Sequence, residues 1–363
     1  MRLVVKKENL VKGNQVVQNI ITQRSNLPIL SYVLIETHNS SMFLTTTNLD
    51  IGITHEIPVQ IEESGTIILP ARKFNDIIKE LPEDTININT KKNNLTLIET
   101  KKCQFKLMGL SYEEFPKLPK LTNQEIVKIN QEEFKEMLSL VSFAVSYDET
   151  RYILNGILCQ INKDNISLIA TDGKRLAFYQ KKLGQGINKS LEIIIPIKTI
   201  NELNRNLAEE GELLICVGAS QILLDLGKTQ IISRLIEGEF PDYKQIIPPI
   251  SPNKIKIDRE QFLLAVRRAA LLVTPDYQAI KLEVFKNRLV VSKSTPNMGE
   301  SREELSCEYT GKDMIIGFNP NYLIDILKNL KDEAVEFEVI DSEKPGVIRT
   351  NNYIYIVLPM RLM

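Results

Sequence analysis

The sequence predicts an α+β chain built from three similar domains, each made of two β-α-β-β-β units. Three observations carry that prediction. One pattern is written three times: an apolar strand-like run, a Pro or Asn-Pro, then an amphipathic helix. It runs IILPARKFNDIIKEL at Ile67–Leu81, IIIPIKTINELNRNL at Ile193–Leu207 and MIIGFNPNYLIDILKNL at Met314–Leu330. A second strand–helix pattern interleaves with it, at VVKKENLVKGNQVVQNII near the start, from Val127 and from Lys254. Helix starts therefore recur about every 60 residues, the signature of an internally repeated architecture. Third, each copy of the first pattern is followed by a polar turn and another strand: TININT at 85–90, ELLICV at 212–217 and AVEFEV at 334–339.

Each element has a local reason. Pro70 and Pro196 close their strands, because proline has no N–H for a ladder. Asn319-Pro320 reads as an N-cap with proline at the first helical position. Asn130 with Glu133, and Asp258 with Gln261, have capping-box spacing. After the first helix, strands are expected at Ile29–Glu36 and Met42–Thr47 with a turn at His38–Ser41, and after the second at about 85–90, 94–100 and 103–108. FPKLPKLTNQE, from Phe115, and IIPPISPNK, from Ile246, are rich in proline and read as boundaries. They divide the chain into domains at 1–120, 126–244 and 250–363.

Composition bounds the function. The 363 residues are 43% hydrophobic and 25% charged, ordinary for a chain that builds sizeable cores. No apolar run approaches the ~20 residues of a membrane span. The N-terminus MRLVVKKENL reads as a strand and a cap rather than a signal segment, so a cytoplasmic location is expected. Cys103, Cys159, Cys216 and Cys307 lack CxxC spacing, and the first three adjoin apolar runs, so buried reduced thiols are expected. Two histidines, His38 and His55, offer no metal set, and no cofactor is expected.

The net charge of −1 argues against gripping phosphates through bulk positive charge. The helices nonetheless carry clustered cations: Arg72, Lys73 and Lys79; Lys198 and Arg205; Arg267 and Arg268; Lys328 and Lys331. Each cluster alone fits an ordinary solvated helix face, and only a shared surface would make a site of them. GQGINKS, from Gly184, fails as a phosphate loop, because Asn188 stands where glycine must precede the lysine. Asp172 and Lys174, in ATDGKRLA, lack a nucleophile with an orienting base, and read instead as a tight turn with Gly173 at positive φ. No enzyme active site is expected.

ATDGKRLA (Ala170–Ala177), SNLPIL (Ser25–Leu30), RYILNGIL (Arg151–Leu158), EGEFPDY (Glu237–Tyr243) and YIVLPMRL (Tyr355–Leu362) together resemble the β sliding clamps, the processivity subunits of bacterial replicative DNA polymerases. The resemblance spans the chain in order. It implies three clamp domains per chain and a head-to-tail homodimer closed into a six-domain ring, with helices lining the channel and sheets outside. A clamp tethers the polymerase by encircling duplex DNA, without sequence-specific contacts. Its implied partners are double-stranded DNA, the replicative polymerase catalytic subunit, the clamp loader, and other polymerases and repair proteins that carry short linear motifs. A peptide-binding scaffold that never encircles DNA is the alternative.

By position, the resemblance implies DNA contacts at Arg24, Arg72, Lys73, Tyr152, Lys198 and Arg205. It implies a peptide pocket between the second and third domains. Leu154, Thr171, Gly173, Lys174, Arg175 and Leu176 come from the second domain. Pro241, Gln245 and Ile246 come from the connector. Pro345, Ile356, Val357, Leu358, Pro359, Met360 and Arg361 complete it. Lys174 stands where relatives often carry histidine, and Gln245 where arginine is familiar, so pocket charge differs here. The implied dimer interface sets Phe105 and Leu107 against Leu271 and Leu272 of the second copy.

Overall fold

The computed structural model describes residues 1–21, 27–82, 84–119, 121, 125–184 and 190–362. The first repeat opens with β1 (Arg2–Lys6), α1 (Lys7–Val17), β2 (Tyr32–His38), β3 (Ser41–Thr47) and β4 (Ile51–Pro58). A short β5 (Gln60–Glu63) leads to β6 (Thr66–Pro70), α2 (Ala71–Glu80), β7 (Thr85–Thr90), β8 (Leu95–Glu99) and β9 (Gln104–Met108). The second repeat is β10 (Ile126–Asn130), α3 (Gln131–Val141), β11 (Gly156–Ile161), β12 (Asn165–Thr171) and β13 (Arg175–Lys182). It continues with β14 (Leu191–Pro196), α4 (Ile197–Asn206), β15 (Glu212–Val217), β16 (Gln221–Asp225) and β17 (Thr229–Arg234). The third is β18 (Lys254–Asp258), α5 (Arg259–Ala270), β19 (Ile280–Phe285), β20 (Arg288–Thr295) and β21 (Gly299–Ser306). It ends with β22 (Met314–Phe318), α6 (Pro320–Asn329), β23 (Ala334–Glu338), β24 (Gly346–Arg349) and β25 (Tyr353–Val357). The β-α-β-β-β unit is thus present in both halves of every repeat, with β5 as an addition.

The helix starts follow the sequence signals. Asn130 Oδ1 accepts from the Glu132 and Glu133 amides, Asp258 Oδ1 from Gln261 N at 2.8 Å, and Asn319 Oδ1 from Asn321 N ahead of Pro320. These bonds occupy helix-start amides that would otherwise lack partners. The opening residue of each repeat's first helix also reaches the end of its second. Lys7 Nζ donates to Lys79 O and Leu81 O, and Arg259 donates to Leu327 O and Asp332 O. Gln131 does the same with an amide, its Oε1 accepting from Ala208 N. A cation on the last carbonyls of a helix also complements the helix dipole.

Two local expectations change. Pro28–Ser31 forms a 3-10 turn, so the strand expected from Ile29 begins only at Tyr32. Proline fixes φ for a turn start and cannot donate to a ladder. Cys103 and Cys307 are half-buried rather than buried, whereas Cys159 and Cys216 are buried; all four are free thiols. Burial pushes the Cys159 thiol up to about 12.

The described chain forms two compact units, Met1–Phe134 with Lys198–Leu235, and Lys135–Ile197 with Ile236–Met363. The first holds a five-stranded sheet, β5-β1-β7-β8-β9, and an eight-stranded one, β10-β15-β16-β17-β4-β3-β2-β6. The second holds an eight-stranded sheet, β14-β11-β12-β13-β25-β24-β23-β18, and a four-stranded one, β21-β20-β19-β22. Helices cover the apolar faces: α2 buries Phe74 and Ile78, α5 buries Phe262 and Val266, and α6 buries Leu323 and Leu327. Each such side chain contributes ~1.5–3 kcal/mol of burial.

Both eight-stranded sheets are four-stranded sheets fused at their edges by one rule. The last strand of a repeat's first unit pairs with the last strand of the next repeat's second unit. So β4 pairs with β17, Ile51 opposite Ser233 and Gly52 opposite Ile232. Likewise β13 pairs with β25, Arg175 opposite Val357 and Leu176 opposite Ile356. The two strands that the rule leaves over, β9 and β21, are sheet edges.

Candidate partner groove and nucleic-acid interface

The turn between β12 and β13 is stitched by its own polar residues. Asp172 Oδ1 accepts from Lys174 N at 2.8 Å and Arg175 N at 3.0 Å. Thr171 Oγ1 donates to Arg175 O at 2.6 Å and accepts from Gly173 N at 3.1 Å. Gly173 sits at φ +86, where glycine meets no Cβ penalty. Asp172 is therefore a turn-maker, as its sequence context indicates. The Lys174 carbonyl accepts from Leu358 N at 2.9 Å, so the turn is fastened to the C-terminal strand.

Arg175 is half-buried with its side chain only 9% exposed, and all three guanidinium nitrogens donate hydrogen bonds. Nε donates to Asp172 at 3.0 Å, Nη1 to Asp325 at 2.6 Å and Nη2 to Phe143 O at 2.5 Å. The guanidinium lies 4.5 Å from the Tyr322 ring centre and 5.5 Å from that of Phe143. Burial works against its charge, but Tyr355, Asp325 and Asp172 outweigh it and hold its pKa above the ordinary arginine value. Arg175 thus ties the turn to α6 and to the Phe143 segment. It is not an open hook, as its place in the implied pocket would suggest.

The sheet around the turn is apolar. Leu176 and Ile356 belong to a buried cluster with Leu158, Ile169, Ile194, Tyr243 and Val347, edged by the partly buried Ile153, Phe178, Phe240 and Ile247. Thr171 and Val357 are buried as well. These four implied pocket residues are sheet core. The accessible ones are Gly173, Lys174, Pro241, Gln245, Ile246, Leu358 and Arg361, with Leu154, Pro345, Pro359 and Met360 half-buried. Gln245 is turned onto its own loop, donating to Asp242 Oδ2 at 2.8 Å. Tyr322, Asp325 and Phe143 were not singled out from the sequence. Asn319-Pro320 fixes where α6 starts, and the i, i+3 spacing of Tyr322 and Asp325 puts both on one face, so helix geometry held that signal.

A cavity of about 760 Å³ lies beside this set and shares only Met360 and Arg361 with it. It contains Lys293, which is buried and donates to Tyr277 O at 2.7 Å and Ala279 O at 2.8 Å. Burial lowers the Lys293 pKa.

Of the implied DNA contacts, Arg24 lies outside the described residues. Arg72 and Lys73 are exposed on α2, Lys198 is exposed in the first turn of α4, and Tyr152 is 57% exposed. Arg205, in the last turn of α4, is paired with the buried carboxylate of Glu202. Its charge is therefore partly spoken for. Arg268 is likewise held by Glu303, with contacts of 2.8 and 2.5 Å. At the implied interface, Leu271 is 79% exposed and Phe105 37%, while Leu107 and Leu272 are half-buried. Among the described residues no cluster of three or more His, Cys, Asp or Glu is placed to hold a metal.

Repeated helix-on-sheet units, fused at strand edges, define a clamp-type scaffold. Family models of the DNA polymerase III beta subunit match in order: the N-terminal domain over 1–119, the central domain over 128–242 and the C-terminal domain over 244–361. The chain is 31% identical to the beta sliding clamp of Chlamydia muridarum, over all of this chain and 99% of that protein. It is 32% identical to the clamp of Pseudomonas aeruginosa over the full length of both. Crystal structures of the Pseudomonas aeruginosa subunit and of the Bacillus subtilis sliding clamp superpose over the whole chain with TM-scores of 0.94 and 0.95, at 32% and 30% identity. The chain belongs to the DNA polymerase III beta subunit family, the β sliding clamps.

Proposed function

We propose that this chain is the replicative sliding clamp of its cell: a head-to-tail homodimer that encircles duplex DNA and tethers the polymerase. It works by topology and partner binding rather than catalysis, in the cytoplasm. Its three domains lie at about 1–120, 126–244 and 250–363. The observation that carries the reading is the edge rule. Applied once more, it pairs β21 of one copy with β9 of the next, and two copies then close a ring with no end left over.

The repeats also supply a register. Leu110 bridges Ile68 as Ile236 bridges Ile194 and Met360 bridges Gly317. The same spacing from these bridges makes Lys106, Ile232 and Ile356 equivalent. Gly299 is equivalent to Gly52 and Leu176, since each pairs with the threonine that ends the preceding strand. Gly299 then faces Lys106 of a second copy, and Ser301 faces Gln104. Glu303 faces Lys102, in the place held at the intrachain seam by Glu56 and Lys228. The seam joins opposite charges, and Phe105, Leu107, Leu271 and Leu272 gain apolar cover beside it.

Arg72, Lys73, Lys198 and Arg205 face the duplex in this reading, with Arg24 and Tyr152 beside it. Contacts to phosphates position DNA without reading sequence, so the ring slides. The groove around Gly173, Lys174, Leu358 and Met360 takes the apolar anchors of linear motifs from the polymerase, the loader and other partners, with Leu176 and Ile356 as its floor. The test is loading onto nicked circular DNA with a clamp loader and ATP. The ring should stay on the circle and leave when the circle is cut; retention after cutting, or protein that never associates with a working loader, would refute encirclement.

A further inference from the structure

The seam between β4 and β17 repeats the construction at the partner groove, bond for bond. Thr47 Oγ1 donates to Ile51 O at 3.0 Å and accepts from Leu49 N, as Thr171 does with Arg175 O and Gly173 N. Asn48 Oδ1 accepts from Asp50 N and Ile51 N, as Asp172 Oδ1 does from Lys174 N and Arg175 N. The Asp50 carbonyl accepts from Arg234 N at 2.9 Å, as the Lys174 carbonyl does from Leu358 N. Gly52 faces Ile232 where Leu176 faces Ile356. Even the boundary segments match, Phe115-Pro116 with Phe240-Pro241.

This seam contains a cavity of about 170 Å³ bordered by Leu49, Gly52, Pro116, Leu118, Ile232 and Arg234. Leu49 holds φ +76 and is 45% exposed. The equivalent turn position is filled without strain by Gly173, whereas a leucine there is strained and presents its side chain to solvent. A strained residue kept at a cavity rim marks a site rather than a packing need. Lys117 and Arg234 are exposed at the same rim, and neither has an ion pair among the described residues.

We propose that the β4–β17 seam is a second, smaller peptide site, taking one aliphatic anchor of an extended partner segment with an acidic residue beside it. The proposal rests on the reading of the Gly173–Leu358 groove as a partner site. The cavity is small because Leu118 lies over Gly52, where an added Cβ would meet its Cδ2 at 2.6 Å. It holds a single branched side chain, and the Arg234 and Lys117 charges select the acidic neighbour.

The test uses a fluorescein-labelled peptide, Gly-Ser-Glu-Leu-Asp-Leu-Phe-Gly-Ser, titrated against the full chain. Two classes of site are expected. Leu358→Arg should remove the tighter class and leave the weaker one, which then weakens about tenfold with Arg234→Glu and similarly with Leu49→Gly. Residual binding indifferent to both substitutions, or none left after Leu358→Arg alone, overturns the second site and leaves the groove reading intact. Binding lost with Arg234→Glu but unmoved by Leu358→Arg would instead overturn the groove reading. A wild-type chain that never binds the peptide rejects both.

Discussion

Leu271→Asp probes the seam most sharply, because Leu271 is 79% exposed at the end of α5 and little of its side chain supports the fold of its own copy. Burying such a leucine on association is worth ~2 kcal/mol. The proposed ring has two identical seams, so the substitution removes that amount twice, about 4 kcal/mol, and adds the cost of desolvating a carboxylate. The dimer dissociation constant should rise at least ~1,000-fold. Leu271→Ala, which adds no charge, should raise it less. Sedimentation velocity over a concentration series reads both, and a thermal melt of the monomer checks that it remains folded. A Leu271→Asp chain that stays dimeric at the wild-type dissociation constant would refute the placement of α5 beside the seam.

Three other perturbations follow from the same structure. Arg175→Gln leaves Asp172, Asp325 and Phe143 O without their cation and should cost about 2–3 kcal/mol, discounted because Asp325 is partly exposed; Arg175→Lys should rescue only part, lacking the planar fork. Chemical denaturation measures it, and an unchanged midpoint for Arg175→Gln would mean the tie is idle. Lys73→Ala and Lys198→Ala each remove two cations from the proposed two-copy ring and should each lower the salt slope of binding to short duplexes by up to ~1.8, and Arg205→Ala by less, since Glu202 already offsets its charge; equal slopes would remove these helices from the DNA path. His55, bonded to Thr229 Oγ1 across the β4–β17 seam, has its pKa lowered by burial and by Lys228, against Glu56. The fold favours its neutral form, so its contribution is complete above the ordinary value of 6.5 and is lost as pH falls from there through the lowered folded value. Melting temperature should drop more steeply on acidification in the wild type than in His55→Gln; parallel curves would contradict this.

Much of the fold was legible because it rests on local chemistry. Asn130, Asp258 and Asn319 announce helix starts, and Pro70 and Pro196 announce strand ends, through bonds made within a few residues. The Thr171–Arg175 turn was legible for the same reason. Strand β4, IGITHEIP, was not singled out, because Thr54, His55 and Glu56 interrupt its apolar alternation; pairing with β3 on one side and β17 on the other makes it a strand. Sheet fusion had no sequence signal at all, since edge pairing is made by backbone groups that every residue but proline carries. Arg175 shows the limit at the site itself. Its residue type suggested a partner contact, but Asp325 and Phe143, far away in the chain, turn it into an internal tie.

The most direct measurement of the central claim seals the ring at the derived seam. Gln104→Cys and Ser301→Cys place two thiols opposite each other across β9 and β21 of different copies. The chain should be loaded onto nicked circular DNA, oxidised, and washed in high salt and denaturant before the circle is cut. The account predicts a dimer linked at both seams that survives the wash on circular DNA and is released only by linearisation, while rings oxidised before loading never load. A sealed dimer that washes off the intact circle, or no crosslink between these positions, would contradict a ring closed by β9 and β21 around DNA.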